Sequence, residues 1–145
     1  MIIATDTNIL VYAHRRDSPM HTRARDALRR LVESDDTWAI PWPVVHEFLS
    51  CVTHPRRYAP PSTHAQAFAQ LRSWLNYSNV ITLGETARHV DVLDQLIANA
   101  CVTGGAVHDA RVAAICLEND VAQLWSADRD FSRFPLLKVV NPLIK

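Results

Sequence analysis

The sequence predicts an α/β fold, a mostly parallel sheet with helices on both faces. Short apolar segments alternate along the chain with longer segments whose apolar residues recur at helical spacing. Such alternation gives parallel strands covered on both sides. The 145 residues, 48% hydrophobic and 21% charged, suit a single globular domain spanning 1–145, long enough to bury a core.

Taken in order, Ile2 to Asp6 is a short apolar strand, and a short helix follows from about Asn8 to His14. Ser18-Pro19 signals the next helix, with Ser as cap and Pro at the first position. Ala24, Ala27, Leu28, Leu31 and Val32 form its apolar face. Trp38 to Ile40 is a strand stopped by Pro41 and Pro43. The helix after it carries Val44, Phe48, Cys51 and Val52 on one face and ends before Pro55. His54 to Ser62, rich in Pro and Arg, reads as an exposed loop. Ser62 or Thr63 caps a helix that ends between Trp74 and Tyr77. Val80 to Leu83 is a strand, and Glu85 to Cys101 a long helix broken off at Gly104-Gly105. His108 to Glu118 is helical, Ala122 to Ser126 a strand, and Lys138 to Val140 a last short strand.

The formal net charge is zero, which excludes a simple basic RNA-binding protein held by bulk attraction. Lys138 and Lys145 are the only lysines, so the cations are nearly all Arg. Arg suits phosphate because its planar fork donates two bonds at once. Cys51, Cys101 and Cys116 are odd in number and lack metal-type spacing, so they read as small core residues on helices. The chain opens on a strand with no basic or apolar leader, and no apolar run reaches a membrane span. A cytoplasmic protein is expected.

Four acidic segments stand out: Asp6 in ATDTNIL, Glu47 in VVHEFL, Asp109 in VHDARVAA, and Asp128 with Asp130 in WSADRDF. Glu47 lies three past Val44, in the apolar stripe of its helix or at its rim. Asp109 heads the stripe of Val112, Ala113 and Cys116. Asp6 closes the first strand and Asp128 follows the fifth, the sheet edge where α/β proteins bind ligands. Each acid alone also reads as something plainer. Asp6 and Asp109 suit helix caps, Glu47 an ion pair with an Arg, and Asp128 and Asp130 a solvated turn. Together they repel. Two carboxylates ~5 Å apart cost roughly 3 kcal/mol at an effective dielectric of ~20, against a domain stability of ~5–15 kcal/mol. A divalent cation reverses the sign, and all-oxygen ligands select magnesium or manganese. Such an ion polarises a phosphoryl group and activates water, so the chemistry indicated is phosphodiester hydrolysis. Thr5, Asn8 and Ser126 could fix the carboxylates. Arg111, Arg129 and Arg133 could hold phosphates. His46 and His108 point about 100° away from the neighbouring acids and read as structural or supporting groups.

The run Asp6-Thr7-Asn8-Ile9-Leu10-Val11-Tyr12-Ala13 closely resembles the first motif of PIN-domain ribonucleases, and more narrowly of VapC-type toxins. Glu47-Phe48, His108-Asp109-Ala110 and Ser126-Ala127-Asp128-Arg129-Asp130-Phe131 resemble the second, third and fourth. The resemblance covers nearly the whole chain. It implies a three-layer α/β/α sandwich and a magnesium- or manganese-dependent endoribonuclease acting on tRNA or rRNA. It also implies a homodimer held inactive by a cognate antitoxin. Asp6 and Asp109 would be core metal ligands and Glu47 the third acid. Asp128 or Asp130, or both, would be the fourth. The antitoxin would lie in an apolar groove beside the acids. Trp42, Phe48, Trp74 and Leu75 would line that groove or pack in the core.

Two other readings fit less well. A haloacid dehalogenase-like phosphatase needs an Asp where Asn8 stands, and a Lys before the later acids where none occurs. A non-catalytic binding domain on the same scaffold would be expected to lose an acid, and none is missing. The acids by themselves do not distinguish RNA from DNA.

Overall fold

The computed structural model describes residues 1–144. Five parallel strands form one sheet: β1 (Ile2–Thr5), β2 (Thr37–Pro41), β3 (Val80–Leu83), β4 (Gln123–Trp125) and β5 (Val139–Val140). Their order is β3-β2-β1-β4-β5. Ile3 lies opposite Trp38 on one side and Gln123 on the other, so β1 is central. The helices are α1 (Thr7–His14), α2 (His21–Glu33), α3 (Trp42–Val52), α4 (His64–Leu75), α5 (His89–Ala100) and α6 (Val107–Glu118). With right-handed crossovers, the path from β1 to β3 lays α1 to α4 on one face, and the return to β4 carries α5 and α6 over the other. The result is the three-layer α/β/α sandwich.

Sequence direction reverses beside β1. The chain first steps outward to β2 and β3, then crosses back to β4 on β1's other edge. At such a reversal the loops leaving two adjacent strands diverge and open a crevice at their carboxyl ends. β1 is central and apolar, with Ile3, Ala4 and Thr5 all buried. Trp38 is wholly buried and spends its indole N–H on Thr5 Oγ1 at 2.9 Å. Thr5 is thereby occupied in the core, leaving Asn8 and Ser126 to serve the carboxylates.

The strands fall where the apolar segments predict them; several helix starts do not. Ser18 does not cap α2. Its hydroxyl accepts from the Met20 amide at 3.1 Å, forming a turn, and the helix begins at His21. The long helix expected from Glu85 begins only at His89. There Thr86 donates through both its amide (2.9 Å) and its hydroxyl (2.8 Å) to Glu118 Oε1, which holds the chain out of helical geometry. Thr63 caps α4 in a full capping box with Gln66. Cys116 is buried as expected, Cys51 is half-buried, and Cys101 is exposed. Cys101 takes φ 52° in the left-handed region just past α5. It ends that helix and does not pack within it.

Candidate active site

The crevice at the reversal holds the acids. Asp6 follows β1 directly, and its amide still donates to Trp125 O on β4 at 2.9 Å. It also caps α1, so the cap and site readings are both true of one residue. Oδ1 accepts from the Thr7 amide at 2.8 Å. Oδ2 accepts from Ser126 Oγ at 2.8 Å and from Asn8 Nδ2 at 3.3 Å. Asn8 Oδ1 accepts from the Ala127 amide at 3.1 Å, and Ser126 Oγ accepts from the Asp128 amide at 3.0 Å. Asn8 and Ser126 thus stitch the end of β1 to the end of β4 and fix the Asp6 and Asp128 backbones in one frame.

Asp109 stands in the first turn of α6, two residues past its start. It is not the cap expected of it, because Ala106 holds that position without a side-chain bond. Its carboxylate meets those of Asp128 and Asp130, with one oxygen of each lying within 4.8 Å of the others. Both aspartates of the last acidic segment therefore reach Asp109, although only their spacing was legible beforehand. Asp128 also caps the 3-10 turn over Arg129–Arg133 by accepting from the Asp130 amide at 2.9 Å, which holds the two side by side.

Glu47 and Asp6 line a cavity of about 180 Å3 together with Asp109 and Asp128. Asp6 is its buried floor and lies outside the three-carboxylate group. Glu47 is exposed, which decides for the rim over the buried stripe, and it forms no ion pair among the described residues. The buried arc of α3 runs through Val44, Val45, Phe48 and Val52. At about 100° per residue Glu47 points roughly 110° from the middle of that arc. It faces the crevice rim.

The acids raise one another. Burial, and then Glu47 and Asp109, push the Asp6 carboxyl from 3.8 up to about 6, against the lowering bonds from Ser126 and Thr7. Asp109 is also raised, first by burial and then by Asp128, Glu47 and Asp130, with Arg133 opposing. Beneath them the Cys116 thiol is pushed up to about 12 by burial and by Asp6, so it is an inert packing group. Thr7 Oγ1, on the same cavity, is the one buried side-chain oxygen or nitrogen without a hydrogen-bond partner among the described residues.

Of the three converging carboxylates and the two further acids on the cavity, only Asp130 has an ion-pair partner among the described residues, the distant Arg133, and the Thr7 hydroxyl has no hydrogen-bond partner. A hard divalent cation with its bound waters meets each need through oxygen ligands. The residues present fit such an ion. Arg111 is not available for phosphate as expected: it is committed to Glu85 at 2.6 Å. Arg133 stands 3.8 Å from Asp130 and Arg129 is exposed. His46 and His108 are exposed in an adjoining cleft with Glu47 and Asp109, and neither bonds to a carboxylate among the described residues. The Pro- and Arg-rich loop also reaches the site, since Arg57 and Tyr58 line the acidic cavity. Periodicity gave no sign of this. The one available signal was the density of Arg in a loop ending beside the site.

A larger cleft of about 470 Å3 lies away from the acids, between α2 and α4, where Arg25, Arg29, Trp38, Trp74 and Tyr77 line it. Of the four residues named for an apolar groove, only Trp74 is there. Phe48 is wholly buried against Trp74 with ring centroids 5.2 Å apart, and Trp42 is exposed.

A model of the PIN domain family matches residues 3–137. Ribonuclease VapC43 of Mycobacterium tuberculosis is 34% identical over 142 residues, 98% of this chain and 96% of that one. Ribonuclease VapC25 of the same organism is 34% identical over 139 residues, 96% of this chain and 97% of that one. Among solved structures, VapBC2 from Rickettsia felis, bound to a fragment of promoter DNA, aligns with a TM-score of 0.71 at 21% identity. It covers 97% of this chain and 98% of that one. VapBC-1 from Haemophilus influenzae gives 0.71 at 14% identity over 99% and 100%.

Proposed function

The chain belongs to the PIN-domain family, and from that premise we propose that it is a magnesium- or manganese-dependent endoribonuclease serving as the toxin of a toxin–antitoxin pair. The family and the acidic cluster support metal-dependent nuclease chemistry in general. RNA as substrate, the toxin role and the identity of the ion belong to the proposal. The observation that carries it is the convergence of Asp109, Asp128 and Asp130 within 4.8 Å of one another, where Asp109 and Asp128 line a cavity with Asp6 and Glu47.

In this reading Asp109, Asp128 and Asp6 hold the ion, with Glu47 at the rim and Asp130 beside Asp128. A bound Mg2+ or Mn2+ would supply Lewis-acid polarisation of the phosphoryl oxygen and a bound water made more acidic than bulk water. The chain's own share is placement. Ser126 and Asn8 fix the orientation of the Asp6 carboxylate through Oδ2, which spares that cost at the moment of reaction. Thr7 Oγ1 has its donor and acceptor capacity unspent and is available to a water or substrate oxygen in the cavity. Glu47, exposed at the rim, is free to accept a proton from an entering water.

The remaining parts follow the relatives. Two of the structures this chain resembles are of VapBC2 and VapBC-1, and the resemblance to VapC-type toxins implies an antitoxin partner. We take the cleft between α2 and α4 as the seat of a cognate antitoxin segment, since it pairs aromatic rings with Arg25 and Arg29. A single nuclease domain over 1–145, a homodimer and a cytoplasmic site of action complete the proposal. Among the described residues no helix is long and apolar enough to cross a membrane.

The test is cleavage of total RNA by purified protein in Mg2+, with 5′ ends sequenced. We expect discrete new ends from the wild type. Asp109→Asn should lose at least ~100-fold in rate while melting normally, in keeping with removal of one stabilising group at a reacting centre. Induction in a bacterial host should arrest growth in the wild type alone. An Asp109→Asn protein that cleaves as well as the wild type would refute the site.

A further inference from the structure

The acidic cavity has one cation among its described lining residues, Arg57. It comes from the loop between α3 and α4, far in sequence from the Arg residues near the last acidic segment. Arg57 is exposed, and no carboxylate lies within ion-pair distance of it among the described residues. Its one side-chain bond runs from Nη1 to Cys51 Sγ at 3.0 Å. That bond anchors one edge of the guanidinium to α3 and leaves most of its N–H donors unspent.

The loop holding it is built. The Arg57 and Tyr58 amides both donate to His54 O, at 3.1 and 3.3 Å. The Tyr58 ring lies under the Arg15 guanidinium, 4.2 Å from its centroid. Arg15 in turn grips Asp17 through two bonds of 2.9 and 2.7 Å and donates to Pro60 O at 3.1 Å. A guanidinium on a fixed loop, facing acids yet paired with none of them, is arranged for an anion from outside. Any phosphodiester approaching the acids meets net repulsion from Glu47 and Asp109, and a cation lining the same cavity offsets it at that point.

Resting on the nuclease reading above, we propose that Arg57 binds a phosphate of the nucleic-acid strand and seats it against the acidic cluster. Its planar fork matches two phosphate oxygens at once, which an ammonium does not. It is a substrate-binding residue whose contribution falls on affinity, with little effect on the rate once the strand is bound. Cys51 positions it.

The experiment measures binding of a fluorescently labelled single-stranded RNA oligonucleotide in Mg2+ by anisotropy. It uses the full chain carrying Asp109→Asn to prevent turnover, over a series of KCl concentrations. Adding Arg57→Ala should raise Kd about tenfold or more, the share of one charge-assisted contact. The slope of log affinity against log salt should become shallower by about 0.7, the value for one phosphate on a single strand. Arg57→Lys should restore the slope and only part of the affinity. Arg57→Ala in the otherwise unchanged protein should raise the half-saturating RNA concentration and leave the saturated cleavage rate within about twofold. An unchanged Kd and salt slope in Arg57→Ala would overturn the proposal. So would weaker binding of a protein partner with RNA affinity intact, or a fall in the saturated rate alone. Failure of the wild type to cleave would sink the nuclease reading instead, and the binding measurements would still decide Arg57.

Discussion

Asp6 shows how one side chain can stabilise a helix locally and destabilise the molecule as a whole. Its cap bond to Thr7 and its bond from Ser126 favour the carboxylate, yet burial and the neighbouring acids outweigh them and lift the group to about 6. The folded chain therefore binds more protons than the unfolded one between pH 3.8 and about 6. Stability contributed here is present at low pH and lost as pH rises through that window, on the order of 3 kcal/mol for a shift of this size. Asp109 adds a change of the same sign. His14 titrates the other way, since burial lowers it, so the quantity to compare is the difference between wild type and Asp6→Asn. Urea unfolding in EDTA should show wild type losing stability relative to the variant from pH 4 to 7. A constant difference would mean that Asp6 carries no excess charge cost. Residue-level reading of the sequence found this acid because the Asp-Thr-Asn run is distinctive. It left Glu47 open between stripe and rim, because a three-residue offset from Val44 allows either, and only the full arc of buried positions decides.

At the scale of elements, strands were legible and helix starts were not. A strand such as Val80–Leu83 announces itself by its apolar run between breakers, whereas a helix start depends on which partner the chain meets. α5 illustrates this. Its four-residue delay comes from Glu118 on α6, whose side chain is 0% exposed. Glu118 takes two bonds from Thr86 and lies 2.6 Å from His89 Nδ1. Arg88 donates to the Glu118 carbonyl at 2.8 Å. This clamp ties the start of one helix to the end of the other, and nothing in the spacing of Thr86, His89 and Glu118 reveals it. Removing one member of a buried polar set strands the rest, so Glu118→Ala should cost about 3 kcal/mol in chemical denaturation. Cleavage by the folded fraction should persist, because Glu118 stands outside the acidic cavity. A loss under 1 kcal/mol would show that the clamp is incidental.

For the molecule as a whole, the acidic crevice is a concentration of like charge that a divalent cation would offset. Binding to the folded state alone stabilises it in proportion to saturation, by about 2.7 kcal/mol at a hundredfold excess over Kd. For a chain of this length that corresponds to a rise of about 5–10 °C in Tm with Mg2+ or Mn2+, reversed by EDTA and absent from Asp109→Asn. Equal melting curves with and without the ion would leave the crevice without its proposed occupant. The two halves of this crevice are synthesised far apart in time. Asp6 and Asn8 precede by 120 and 119 residues the Ser126 and Ala127 they bond, just past a strand that pairs directly with β1. A growing polypeptide from which Ser126 and Asp128 have not yet emerged has no assembled acidic centre, so the crevice can form only once both halves are free to meet.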